Sequence, residues 1–196
     1  MHYFSNNSID INMPIAHIES IAVAHPMVAA LPPGIQRTRE LLALLQDPRL
    51  FDLLGSAEMI ELIEKTEMGY LLYTDHFKLA VNVHYLPRTD RFAGPVKFAL
   101  EFEQPVQRGD VYILPHPDQL GALPPAAQRI RELVAILSDP RLYEIISSIE
   151  MIESIDKTEH GYSITTHNRT LMVEVIYGDA QGVGPIPFEI EFAISK

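Results

Sequence analysis

Residues 31–40 read Leu31-Pro-Pro-Gly-Ile-Gln-Arg-Thr-Arg-Glu40, and residues 123–132 read Leu123-Pro-Pro-Ala-Ala-Gln-Arg-Ile-Arg-Glu132. The match continues without a gap from residue 31 to residue 85, always 92 positions on, and 30 of the 55 pairs are identical. This period is too long for a solenoid unit and has the length of a small domain. The repeated sequence therefore predicts a tandem duplication, with an N-terminal extension at residues 1–17, a first repeat at 18–105 and a second repeat at 106–196.

The first part of each repeat predicts a short strand and two helices. A short apolar run ends in His-Pro, a pair that breaks regular structure. Residues 34–46 and 126–138 then carry apolar side chains at helical spacing. Asp47-Pro48 supplies an N-cap and an N1 proline for a second, short helix, and Gly55 is suited to end it.

The second part of each repeat predicts an antiparallel meander of four strands. Gly69 lies in the turn of a hairpin, and residues 78–85 and 98–102 alternate apolar and polar side chains. Residues 58–66 also fit the helical period, but the glycine turn that follows favours a strand. The stretch from residue 103 to about 108 is interpreted as a linker.

The predicted fold class is α+β, with helices packed on one face of an antiparallel sheet. Two such similar copies are expected to pair about a pseudo-two-fold axis, as the protomers of a homodimer do. They can join edge to edge in one long sheet or pack sheet to sheet, and the sequence leaves both arrangements open.

The composition restricts the classes of function. The 196 residues carry a formal net charge of −11 and no cysteine, which excludes disulfides, thiolate chemistry and cysteine-based zinc sites. The acidic balance disfavours nucleic acid and anionic membrane surfaces as partners. No stretch reaches the roughly 18 apolar residues of a spanning helix, and the N-terminus resembles no signal peptide. A cytoplasmic location is expected.

Histidine is the first candidate for chemistry because it titrates near neutrality and binds metals. Only His25 and His116 occupy equivalent places, each in a His-Pro turn. Such a pair can line a shared cleft, although a surface turn at the end of a strand is the favoured interpretation. The other histidines change identity between copies, so no metal, no cofactor and no catalytic residue is expected.

The first helix and the sheet offer further candidates for ligand or partner contacts. An arginine pair can bind a carboxylate or phosphate, and tyrosines can stack on a ligand or anchor an interface. The favoured alternatives are a solvated helix face that includes Glu40 and Glu132, and tyrosines that pack across strands. The glutamates around residues 58–67 are interpreted as a solvated strand edge. The candidates are Arg37, Arg129, Arg39, Arg131, Tyr85 and Tyr177.

The leading hypothesis is a non-enzymatic protein-interaction or ligand-binding module. Its contacts would be the two His-Pro turns and the arginines and tyrosines named above, and its partner another protein, a second copy of the chain or a small molecule. The alternative is a small-molecule carrier or enzyme with an apolar cavity between sheet and helices. In that case His84 near Tyr85, or His160 beside the hairpin, would be the acid-base groups.

Overall fold

A computed structural model describes residues 31–87, 95–109, 123–179 and 185–194. Over these residues the chain forms four helices and one large antiparallel sheet, which confirms the α+β class. The N-terminal half, between residues 31 and 109, contains α1 (Pro33–Leu45), α2 (Pro48–Leu54), β1 (Ile60–Lys65), β2 (Gly69–Thr74), β3 (Phe77–Tyr85), β4 (Phe98–Phe102) and β5 (Val106–Gln107). The C-terminal half, between residues 123 and 194, contains α3 (Pro125–Ser138), α4 (Pro140–Ile146), β6 (Ile152–Lys157), β7 (Gly161–Thr166), β8 (Thr170–Tyr177) and β9 (Phe188–Ile194).

The nine strands belong to a single sheet that runs through both halves. Its order is β4-β3-β2-β1-β6-β7-β8-β9, and β5 pairs with β3 beside this path. The halves meet where β1 runs antiparallel to β6, with Leu62 opposite Asp156, Ile63 opposite Ile155 and Glu64 opposite Ser154. Of the two arrangements left open by the sequence, the structure has the edge-to-edge one.

The short helices begin as their sequences predict. The Asp47 carboxylate accepts a hydrogen bond of 3.0 Å from the backbone N–H of Arg49, and Asp139 accepts one of 2.9 Å from that of Arg141. A proline follows each cap at the first helical position, where its missing N–H has no helical acceptor. Gly55 ends α2 with a φ of 85°, a conformation that glycine adopts without a steric penalty.

Residues 60–65 form a strand, as the glycine turn after them indicates. At that turn a Cβ on Gly69 would clash with the carbonyl oxygen of Val81 and lie 2.9 Å from the Cα of Asn82. Strand β5 was not expected, since its residues fall in the predicted linker. The short strand predicted at the start of each repeat lies outside the described residues.

The core lies between the helices and one face of the sheet. It consists of aliphatic side chains from all four helices and from alternate strand positions, with two buried tyrosines: Leu41, Leu44, Leu45, Leu50, Ile63, Tyr70, Leu72, Leu79, Leu133, Ile136, Leu137, Leu142, Ile155, Tyr162, Ile164 and Leu171. The alternate positions of the outer strands, such as His84, Glu101, Glu174 and Glu191, are exposed on the other face.

The halves also meet at the start of the long helices. The backbone N–H of Gly34 in α1 donates 3.0 Å to the carbonyl oxygen of Ser148, and that of Ala126 in α3 donates 3.2 Å to the carbonyl oxygen of Ser56. Helices begin with backbone N–H groups that lack helical partners. Each long helix satisfies one of them with a carbonyl of the opposite half.

Candidate functional site

The glutamate of each long helix is buried beneath tyrosines of the sheet. Glu132 accepts hydrogen bonds from the hydroxyls of Tyr162 at 2.7 Å and Tyr177 at 2.6 Å, and from the Gln128 amide at 3.0 Å. This carboxylate is fully enclosed. Burial, with the hydrogen bond to Glu132, raises the pKa of Tyr177. The tyrosine therefore stays a neutral donor at physiological pH.

Glu40 of α1 has the equivalent partners. It accepts hydrogen bonds from the hydroxyls of Tyr70 at 3.0 Å and Tyr85 at 2.9 Å, and from Gln36 at 3.2 Å. The expectation of a solvated helix face is thus wrong at Glu40 and at Glu132. A buried carboxylate needs donors to replace water, and the strand hydroxyls supply them.

Arg129 lies in the interior beside the network of Glu132, with only 4% of its surface exposed. Its guanidinium lies 3.7 Å from a carboxylate oxygen of Glu61 and 3.7 Å from one of Glu132. Burial, reinforced by the charge of Arg129, lowers the pKa of Lys157 to about 8. Arg129, Lys157, Glu61 and Glu132 form an enclosed cluster, which we call the closed cluster, with Asp75 also near Arg129. Two nitrogens of Arg129, Nε and Nη1, have no hydrogen-bond partner among the described residues.

Arg37, at the equivalent position of α1, lies at an open cleft instead. Its Nη2 contacts the sulfur of Met151 at 3.6 Å, and its Nη1 is buried with no hydrogen-bond partner in the described part of the chain. The cleft between the two halves has a volume of about 390 Å³. Its lining comes from the N-terminal half through Arg37 and Lys65, and from the C-terminal half through Ile149, Glu150, Met151, Ile152, Glu153, His167 and Asn168. We call it the inter-half cleft.

The closed cluster and the inter-half cleft differ by one acidic side chain. Asp75 is buried and its charge acts on Arg129, whereas the position 92 residues on is His167, which lines the inter-half cleft. Glu150, at the cleft wall, accepts hydrogen bonds from the guanidinium of Arg169 at 2.7 Å and from the hydroxyl of Thr166 at 2.8 Å. Glu153, the counterpart of Glu61, also lines the cleft and lies 3.6 Å from His167, so the cleft differs from the closed cluster by the exchange of Asp75 for His167.

Arg39 and Arg131 lie elsewhere, beside the outermost strands. Arg39 donates to the carbonyl oxygen of Val96 at 3.2 Å, and Arg131 to that of Ile186 at 2.8 Å. The structure thus separates the predicted arginines into two sets, and only Arg37 lines the inter-half cleft. Tyr85 and Tyr177 hold the buried glutamates.

Neither His84 nor His160 lies near these groups. His25 and His116 lie outside the described residues. His84 contacts Glu101 on the exposed face of the sheet, while Tyr85 points to the helices, because successive side chains of a strand face opposite ways. His160 is exposed in the turn between β6 and β7.

The glutamates at the start of β1 and β6 are not a solvated edge. Glu58 accepts from the hydroxyl of Thr74 at 2.6 Å and from the backbone N–H of His76 at 3.2 Å. Its counterpart Glu150 is buried, as described above. Within the described ranges, no group of three or more His, Asp and Glu side chains has an arrangement that could hold a metal ion.

Sequence reasoning missed Lys65, Lys157, Met151 and Asp75 as neighbours of the helix arginines. The exchange of Asp75 for His167 was visible in the sequence, but its meaning depends on contacts between distant segments. Comparisons with family models, curated proteins and solved structures find no match to this chain. None of the described helices is both long enough and apolar enough to span a bilayer.

Proposed function

We propose that this protein is a non-enzymatic ligand-binding module whose inter-half cleft holds a small organic anion. The observation that carries the proposal is Arg37, which lines the open cleft and whose Nη1 has no hydrogen-bond partner among the described residues. Arg129 also has nitrogens without such a partner, but it is enclosed and no ligand could reach it. A buried guanidinium nitrogen needs an acceptor, and a carboxylate matches the geometry of the whole group with two parallel hydrogen bonds.

The charges around the cleft favour the same class of ligand. Burial and the charge of Arg37 lower the pKa of Lys65, so the two cations lie near enough to repel each other. At the closed cluster, Glu61 and Asp75 act on Arg129. At the cleft, His167 takes the place of that aspartate, and the two carboxylates of the lining, Glu150 and Glu153, contact Arg169 and His167, so that a bound anion would be the partner of Arg37.

The apolar rim of the cleft suggests the rest of the ligand. Ile149 is 68% exposed and Met151 is 44% exposed, and both line the cleft. Exposed aliphatic side chains beside an unpaired cation suit a carboxylate with a short apolar tail. The volume of about 390 Å³ lies at the lower end of the range for small-molecule sites.

The architecture that we propose for this module is a tandem duplication arranged about a pseudo-two-fold axis. Three observations support it. The sequence repeats at 92 residues, and the strands at the join place Ile63 opposite Ile155, which are 92 positions apart. The contacts between halves are reciprocal, as expected for an isologous interface: Gly34 with Ser148 and Ala126 with Ser56, Arg37 with Met151 and Arg129 with Met59. The proposal keeps the cytoplasmic location expected from the sequence.

The enzyme alternative has no support from the contacts of its candidate residues. His84 and Tyr85 face opposite sides of the sheet, and the space between sheet and helices is filled by the aliphatic core. We therefore retain the binding module as the function that the geometry favours.

A titration of the purified protein with 4-methylpentanoate tests the proposal, with 4-methylpentanamide as the uncharged analogue and inorganic phosphate as a tailless anion. We expect the carboxylate to bind and to raise the melting temperature, because a ligand of the folded state stabilises it. The amide should bind at least about tenfold more weakly, since it cannot pair with two cations.

Variants then locate the site. Arg37→Gln and Lys65→Met should each weaken carboxylate binding, whereas Arg39→Gln, which removes a cation of the same helix outside the cleft, should leave it unchanged. Equal binding by wild type and by a folded Arg37→Gln variant would refute the proposal. The proposal would also be refuted if the wild-type protein bound none of the three probes.

A further inference from the structure

The two outermost strands of the sheet, β4 and β9, have backbone groups that point away from their neighbours. In the ladder between β3 and β4, the N–H of Leu86 donates to the carbonyl of Lys97, and the N–H of Glu103 donates to the carbonyl of Ala80. In an antiparallel ladder such bonded pairs recur at every second residue. The odd-numbered residues of β4 therefore face β3, and the carbonyls of Val96, Phe98, Leu100 and Phe102 point outward.

The same argument applies to β9. The N–H of Gly178 donates to the carbonyl of Pro187, in register with the pairing of Val175 and Ile190. The carbonyls of Ile186, Phe188, Ile190 and Phe192 therefore point outward. An exposed strand edge of this kind is a template for pairing with another strand.

Arginines from the helical layer occupy two outward carbonyls at each edge. Arg49 donates to Leu100 at 3.2 Å and Arg141 to Ile190 at 3.1 Å, in addition to the bonds from Arg39 to Val96 and from Arg131 to Ile186. The four guanidinium groups also lie over phenylalanines of the edge strands, at 5.6 Å from Phe98, 4.6 Å from Phe102, 4.8 Å from Phe188 and 5.2 Å from Phe192. We call these four residues the arginine clasp.

The clasp is itself held in position by the helix caps. Asp47 accepts from Arg49 Nε at 2.9 Å and Nη2 at 2.7 Å, and Asp139 accepts from Arg141 Nε at 3.0 Å and Nη2 at 2.7 Å. A paired, two-bond geometry fixes the direction of a guanidinium. The pairing with Arg49 lowers the pKa of Asp47, and that with Arg141 lowers the pKa of Asp139.

We propose that β4 and β9 are latent docking edges for a second copy of this chain, and that the arginine clasp keeps them closed. Antiparallel pairing of β4 with β9 of another molecule can place Phe98 opposite Phe192, Leu100 opposite Ile190 and Phe102 opposite Phe188 on one face. On the other face the same register places Glu101 opposite Glu189, a like-charge pair that the apolar contacts must outweigh. The molecule already contains an antiparallel join of two similar strands, β1 with β6.

Pairing of β4 with β9 is a heterologous contact, in which each added molecule offers a free edge to the next. Assembly then gives a ring where the rotation between molecules closes and a filament where it does not. The clasp prevents this by occupying the carbonyls that an incoming strand must use. The four arginines of the clasp thus suppress self-association.

The test compares the wild-type protein with the double variant Arg49→Gln/Arg141→Gln by sedimentation velocity over a range of protein concentrations. We expect the variant to form dimers and larger species at protein concentrations at least about tenfold lower than the wild type does, because a blocked acceptor is freed at each edge. Loss of two positive charges makes an acidic chain more acidic, so reduced repulsion cannot explain such association.

Two further variants make the outcome decisive. Arg108→Gln removes a bond to the carbonyl of Thr74, which lies inside the sheet, and should sediment like the wild type. Arg49→Lys/Arg141→Lys keeps the charge but loses the forked, stacked geometry, and should associate to an intermediate degree. The proposal fails if both double variants keep the far-ultraviolet circular dichroism of the wild type and also its sedimentation profile. It also fails if Arg108→Gln associates as strongly as the double variants.

Discussion

The surroundings of Lys157 disfavour the charged form of its side chain. It is largely enclosed at the closed cluster, its Nζ donates to the carbonyl of Thr158, and it faces the ring of Tyr162 at 5.3 Å. Burial lowers its pKa to about 8, the charge of Arg129 acts in the same direction, and Glu132 and Glu61 act against both. Since the unfolded chain leaves this lysine solvated, its protonation opposes folding.

The pH dependence of stability follows from that pKa. Above about pH 8 the folded protein releases the Lys157 proton while the unfolded chain retains it, so the unfolded state binds more protons and stability rises with pH. We expect the free energy of unfolding to rise by about 1 kcal/mol between pH 7 and pH 9, after allowance for partial solvation. Urea titrations at both values measure it.

Lys157→Met should show a smaller rise and should be more stable than the wild type at pH 7. The control is Lys78→Met, at an exposed strand position, which should keep the wild-type difference. A Lys157→Met variant with the full wild-type rise would contradict this account of the lysine.

The sequence could not predict the environment of single polar residues such as Glu132. Its position on the helix suggests a polar face, and the residues that bury it, Tyr162 and Tyr177, lie 30 and 45 positions away. Local spacing indicates which residues share a helix face, but it does not indicate which strand lies above them. The same limit applies to Arg129, whose partner Glu61 belongs to the other half.

The helical layer is fastened to the sheet through these buried glutamates. Tyr177 joins β8 to α3, and Tyr85 joins β3 to α1. Both glutamates are enclosed, but the tyrosines differ, since Tyr85 is 54% exposed and Tyr177 is half-buried. A hydrogen bond to a buried charge contributes more than one at the surface.

Removal of one hydroxyl tests this attachment. Tyr177→Phe should lower the free energy of unfolding by about 1 to 3 kcal/mol, because Glu132 loses a donor that water cannot replace. Tyr85→Phe should cost less than about 1 kcal/mol, since Tyr85 is the more exposed of the two tyrosines and water can more easily replace its hydroxyl. Urea unfolding of both variants gives the comparison, and equal losses would mean that burial does not distinguish the two contacts.

Elements with local signals were predictable. The caps at Asp47 and Asp139, the stop at Gly55 and the hairpin at Gly69 each depend on residues within a few positions, and all are confirmed. Strand β5 was not predictable, because two residues in a polar segment carry no period. It forms because Phe77 and Lys78 of β3 offer an unpaired edge to Val106 and Gln107.

On the scale of the whole molecule, two structures hold the halves together: the join of β1 with β6 and the docking of each long helix onto the opposite half. Gly34 shows how close this docking is. A Cβ at Gly34 would clash with the carbonyl oxygen of Glu150 and lie 2.7 Å from that of Ser148. The equivalent residue in α3 is Ala126, which is accommodated at its own contact with Ser56.

Gly34→Ala should therefore destabilise the protein, although alanine is the better helix former by about 1 kcal/mol. We expect a net loss of roughly 1 to 3 kcal/mol from the forced separation of the halves. Ala126→Gly is the matched control and should lose only about 1 kcal/mol of helix propensity. Thermal and urea unfolding measure both, and a stabilised Gly34→Ala variant would contradict the close docking.

The sequence indicated two similar units but not how they join. Edge-to-edge pairing uses the backbone groups of an edge strand, and the side-chain pattern of one unit does not indicate which strand lies beside that edge. The choice depends on the edge of β1, where Ile63 meets Ile155. That pairing connects residues 92 positions apart, and no short-range sequence pattern predicts it.

The join of β1 with β6 has a consequence for the order in which the protein is made. A ribosome completes the N-terminal half first, and domains generally fold as they emerge. Until residues 152–157 have been synthesised, the edge of β1 has no strand beside it. Its sequence, Ile60-Glu-Leu-Ile-Glu-Lys65, is close to that of its absent partner, Ile152-Glu-Ser-Ile-Asp-Lys157. On a polysome, neighbouring nascent chains thus expose the same self-complementary edge at the same stage of translation, and the arrival of β6 ends that exposure.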